Sequence, residues 1–150
     1  MAYSRQYNLL LTDIIDALTI NQIKEVAFGG ERRESAKREI GDLSHDLDLL
    51  LESDHVQPTS GLLRLMVLLA QSNLHVWFNK DRMQNEPEKY YELLEFAQEL
   101  NGLRNHVRNL MMSRFNEGEP CNMRATFLGS DAGKWYTLIL NSLAEQDPAL

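Results

Sequence analysis

One cysteine, four prolines and no apolar run long enough to span a bilayer set the first limits on this 150-residue chain. With Cys121 alone there is no disulfide framework and no cysteine cluster for zinc, so the expected compartment is a reducing one, the cytoplasm. Few prolines and only eight glycines leave little room for linkers or low-complexity segments. The longest stretch without a charge, Leu65 to Asn79, falls short of about 20 apolar residues and is interrupted by Gln71, Ser72 and Asn73. The N-terminal MAYSRQYNLLLTDIID has a short apolar run closed by Asp13, which is not the pattern of a secretory signal. Basic residues are also in deficit. Fifteen Lys and Arg against 22 Asp and Glu give a net charge of −7, which argues against sequence-blind binding to nucleic acid or to an anionic membrane.

What is present is a helical pattern. Apolar residues recur at steps of three and four, and no set of alternating runs suggests a sheet. The expectation is an all-α fold, one helical domain over residues 1–150, built as a bundle of four to five mostly antiparallel helices. The first covers roughly residues 3 to 28, bends or splits near Thr19 to Asn21, and stops at the Gly29-Gly30 pair. The second, roughly 31 to 53, carries Ala36, Ile40, Leu43, Leu47 and Leu50 as a narrow seam on an otherwise charged helix. The third, about 59 to 79, is apolar nearly all round, which suits the middle of a bundle or an oligomer interface. Asn85-Glu86-Pro87-Glu88 reads as the capped start of the fourth, with Asn85 as the cap, and that helix runs to about residue 115. A loop from Asn116 to Ser130 then leads to a last helix, about 131 to 146, with Trp135, Leu138, Ile139 and Leu143 facing inward.

On the fourth helix Leu93, Phe96, Leu100, Leu103, Val107 and Leu110 define the buried stripe. Arg104 and Arg108 then share one flank, with Asn101 and Asn105 beside them, while His106 falls on the other. Such an Arg/Asn ladder can grip a carboxylate, a phosphate or a partner surface by forked hydrogen bonds. It can equally be charge placed along the helix dipole, with glutamates in the first half and arginines in the second. A third possibility is that it answers the acidic flank of the second helix across the bundle.

That flank holds Glu39, Asp42 and Asp46, three carboxylates spaced to share one face and so able to hold Mg²⁺ against a phosphate substrate. The segment Glu39-Ile40-Gly41-Asp42-Leu43 resembles the Glu-x-x-Asp motif of the all-helical MazG-type nucleotide pyrophosphohydrolases. The resemblance implies Mg²⁺-dependent hydrolysis of nucleoside triphosphates by acidic residues on bundle helices. Their first motif, Glu-x-x-Glu, would fall on Asp13-Ile14-Ile15-Asp16, where both glutamates are aspartates. Arg38 and His45 are similar to the Arg/His pair of HEPN-type helical ribonucleases, although such a pairing arises readily by chance in this composition. Against these enzyme readings stands the leading expectation. It is a non-enzymatic bundle without a cofactor that acts through a protein partner, in a regulatory, neutralising or chaperone-like role, and self-associates as a homodimer.

Overall fold

The computed structural model describes residues 9–53, 58–117 and 131–147, and every regular element among them is helical. In chain order these are α1 (Leu11–Ala27), α2 (Gly30–Ser53), α3 (Ser60–Asn85), a 3-10 turn (Pro87–Lys89), α4 (Tyr90–Phe115) and α5 (Asp131–Gln146). The all-α bundle is as the periodicity predicts. Gly30, at φ +56°, turns the chain from α1 into α2, and the first two helices form one antiparallel hairpin. The corner at Glu86 to Lys89 makes a second hairpin of α3 and α4.

The core lies where α1, α3, α4 and α5 meet. Leu11 and Ile15 pack there with Leu65, Leu68 and Leu69, with Leu100, Leu103, Val107 and Met111, and with Tyr136 and Leu143. Full burial of each such leucine stabilises by roughly 1.5–3 kcal/mol. The stripe expected on α4 is therefore the one that faces the core. The α2 seam is also internal: Ala36 and Leu43 are buried, and Leu47 and Leu50 reach the edge of the core. Among the described residues the backbone of α2 comes close to α1 alone.

Four expectations are corrected. Thr19 to Asn21 do not split α1, because Thr19 Oγ1 donates to the Asp16 carbonyl and Asn21 Nδ2 to the Ala17 carbonyl, so both side chains bond within the helix. Tyr3 and Tyr7, expected on the same helix, lie outside the described residues. The third helix does not stop near residue 79. It continues to Asn85, with Asn79 buried and donating to the Leu93 carbonyl across the hairpin, 2.9 Å. Asn85 is consequently the last residue of α3 and not the cap of α4, and its side chain donates back to the Asp81 carbonyl. Glu86 forms the corner, pairing with Arg82 and Lys89, and those two cations hold its carboxyl down to about 2. On α5, Trp135 (45% exposed) and Leu138 (68%) face outward, while Tyr136 is fully buried. Ile139 and Leu143 pack inward as expected, while Tyr136 takes the place expected of Trp135, because a phenol able to hydrogen-bond is buried more readily than the larger indole.

One helix start is capped from a distant part of the chain, and another, capped by its own neighbour, is braced from two distant parts. Asn116, left-handed at φ 53°, ends α4 with its N–H on Ser113 and sends the Glu117 N–H to the Met112 carbonyl, 2.9 Å. This turn aims the Glu117 carboxylate at the open end of α1, where it accepts from the Leu11 and Thr12 N–H groups and from Thr12 Oγ1. Leu10, the residue at the cap position, supplies no such bond. At α3, Thr59 Oγ1 accepts from Leu62 N, and Asp147 reaches so close that a Cβ on Gly61 would stand 2.7 Å from its Oδ2. Arg114 of α4 ties both, donating to Thr59 Oγ1 and pairing with Asp147 at 3.0 Å.

Glu117→Ala should cost about 1–2 kcal/mol in urea unfolding, the size of a lost cap. Hydrogen exchange should show the Leu11 and Thr12 amides losing protection first, and unchanged protection there would refute the capping role.

Candidate functional site

Two features stand out from the helical frame: a polar lock inside it and an apolar face outside it. The lock is built on α1, whose Asp13 and Asp16 lie one turn apart on the side turned to α3 and α4. Asp16 is buried. Its Oδ1 accepts from Asn73 Nδ2 of α3 at 2.9 Å, and its Oδ2 accepts from Arg104 of α4. Arg108 donates to Asp13, and its Nε stands 3.5 Å from Asp16 Oδ2, within ion-pair range but without hydrogen-bond alignment. Asn73 also donates to Thr19 Oγ1 at 2.7 Å, so three helices share one polar cluster.

Arg104 and Arg108 thus do pair with acids across the bundle, but with those of α1 and not with Glu39, Asp42 and Asp46 on α2. The reason is topological: α4 borders α1, α3 and α5, whereas α2 lies on the far side of α1. The two guanidinium groups are occupied within the chain, and Asn101 is exposed beside them while Asn105 is half-buried. The anion grip read from the sequence is filled by the protein's own carboxylates.

The same geometry bears on the metal reading. Asp13 and Asp16 are engaged by arginines, Glu39 is half-buried, Asp42 is exposed and Asp46 is buried. Among the described residues, no group of three His, Cys, Asp or Glu side chains is placed to hold a metal ion. Arg38 is exposed and His45 half-buried on α2. Cys121 and the rest of residues 118–130 fall outside the described residues.

The apolar face runs along α3. Leu63 (51% exposed), Val67 (56%), Leu74 (42%) and Phe78 (55%) form a line with Ala70 at its middle. Between this line and α1 lie two adjoining grooves of about 500 Å³ each, which share Thr19 and Gln22. The first is floored by Ile15, Leu18 and Leu62 and closed at one end by Leu47 and Leu51 of α2. The second is lined by Ile23, Leu74, Trp77 and Phe78, with Val26 standing 80% exposed at its lip. Trp77 is steadied edge-on by Phe28 at 5.5 Å. On the other side of the line, Leu63 and Val67 meet Trp135 and Ile139 of α5 in a smaller groove of about 300 Å³. A helix that is apolar all round therefore has one half in the core and one half in water.

Two titratable groups complete the picture. Tyr136, buried and bonded to His75 Nδ1 of α3, has its phenol pushed up to about 12 by that burial. Burial also lowers His106 below 6.5. No spaced motif points to Asn73, Thr19 or Glu117 as partners in these polar contacts. No known family, curated protein or solved structure matches the chain. No helix among the described residues is long and apolar enough to cross a membrane.

Asp16→Asn should destabilise by about 2–3 kcal/mol, because it removes the buried carboxylate that Arg104, Arg108 and Asn73 share and leaves the half-buried Arg104 without an acid. Asp13→Asn, at a site one-third exposed, should cost about 1 kcal/mol or less. Equal losses in urea unfolding would refute Asp16 as the hub. For His106 the native state favours the neutral ring, so its contribution is complete above about pH 6.5 and declines as pH falls through the lowered native value. His106→Gln should therefore lose less stability than the native chain between about pH 7.5 and 5.5.

Proposed function

We propose that this chain is a non-enzymatic, cytoplasmic helical-bundle protein that acts through protein–protein contact, and that it self-associates as a homodimer through the outer face of α3. The observation that carries this reading is the line of half-exposed Leu63, Val67, Leu74 and Phe78, flanked by apolar grooves on both sides. Monomeric surfaces seldom keep so continuous an apolar patch, and its usual meaning is an interface. The seams of α2 and α4 are consumed inside the bundle, which leaves the apolar third helix, read from the sequence as suited to an oligomer interface, as the face for self-association. A regulatory, neutralising or chaperone-like duty suits such a contact protein by analogy of fold. The excess of acidic groups favours a neutral or basic partner over nucleic acid or an anionic membrane. The MazG-type reading loses support because Asp13 and Asp16 are engaged by Arg108 and Arg104.

Light scattering should give twice the 17.3 kDa chain mass. A variant carrying both Val67→Asp and Leu74→Asp should fall to one chain mass while keeping its helical circular dichroism. Unchanged assembly of that variant, or Mg²⁺-dependent hydrolysis of nucleotides by the purified chain, would overturn the reading.

A further inference from the structure

Resting on the reading just given, we infer that the two copies pair α3 against α3 in antiparallel fashion, with the twofold axis passing between Ala70 and Gln71. The interval from Leu63 to Val67 is four residues, from Val67 to Leu74 seven, and from Leu74 to Phe78 four, a spacing that is the same from either end. A patch with that property is self-complementary under a twofold, which is the requirement for an isologous interface. Leu63 then meets Phe78 of the second copy, Val67 meets Leu74, and the small Ala70 sits at the crossing, where helices approach to about 8–10 Å between axes.

Charge supports the same direction. Each copy carries −7, yet from Leu65 to Phe78 the contact strip bears no Lys, Arg, Asp or Glu, so most of its length meets without charge repulsion. At the ends of the strip stand Arg64 and the exposed Asp81. Antiparallel pairing brings Asp81 of one copy within one turn of Arg64 of the other, twice over. Parallel pairing would set Arg64 beside Arg64 and Asp81 beside Asp81. Arg64 is held in place by Gln146 and Ser142 of α5, which leaves its charge at the rim of the strip.

The extent is adequate. Leu63 to Phe78 spans about 22 Å at 1.5 Å per residue. With Val26 at one lip and Trp135 at the other, the face exposes several hundred square ångströms of apolar surface. Each side of a standard interface contributes about 800 Å², with a polar rim making up the remainder.

Cysteine cross-linking in a Cys121→Ser background tests the register. Ala70→Cys should form a disulfide-linked dimer with itself. Chains bearing Leu63→Cys, mixed with chains bearing Phe78→Cys, should link to each other, while neither should link to its own kind. All variants should first match the parent in thermal unfolding. Asp81→Arg should weaken dimerisation by about fivefold, and adding Arg64→Glu should restore it. Self-linking of Leu63→Cys would overturn the antiparallel arrangement. So would dimers that dissociate with Val67→Asp and Leu74→Asp yet show none of these links, which would leave the contact face standing and refute only its register. A chain that remains at one mass throughout would overturn both.

Discussion

The Asp16 carboxylate is the point on which the helices depend for their alignment. Aliphatic packing between α1, α3 and α4 is non-directional, so leucines alone tolerate sliding and rotation. Asp16 accepts from Asn73 on α3 and from Arg104 on α4, and Arg108 adds Asp13 one turn away. These bonds require one rotation of α1 and one axial position. Two guanidinium groups brought into partial burial are costly unless a carboxylate meets them, and this makes the alignment specific as well as favourable. The same constraint removes both arginines from the surface that the chain offers to others.

Beside this occupied polar cluster, the outer side of α3 exposes large apolar side chains. The outer half of α3 has no charged residue between Leu65 and Asn79, and Ser72 and Asn73 within that run turn inward to bond within the bundle. Ser72 and Asn73 are thus core residues, and the residues of this run left in water are Val67, Leu74 and Phe78, with Gln71 and His75. This inversion makes α3 a buried helix on one side and a contact surface on the other.

Much of the frame was legible in the sequence, and the losses have specific causes. The α4 stripe from Leu93 to Leu110 and the α2 seam from Ala36 to Leu50 follow from three-and-four spacing, which depends only on helix geometry. The range of α5 was also legible, but its inward face was not: over a helix this short, Trp135 and Tyr136 compete for the core, and the hydrogen bond to His75 that favours Tyr136 is a tertiary fact. Asn85 looked like a cap because Asn-x-Pro-Glu carries a strong local signal, yet Asn79 bonding to Leu93 and Arg82 pairing with Glu86 carry α3 through it. The pairing of Arg104 and Arg108 with carboxylates was anticipated but assigned to the wrong helix. Spacing reveals which residues share a face, and it does not say which neighbour that face meets. Glu117, 106 residues along the chain from Leu11, was out of reach of any local pattern.

The position of α2 has a consequence for the contact face. Its backbone leans on α1 alone, while α1 is fastened to α3 and α4 by Asp16 and to the end of α4 by Glu117. The side chains of its seam, Leu47 and Leu50 among them, are what carry α2 to the shared core. Because Leu47 and Leu51 line the α1/α3 groove, the shape of that groove depends on how α2 is seated on α1. The contact face is therefore bounded by a helix whose own footing is α1, and a change in the α2 seam would reach the face through that wall.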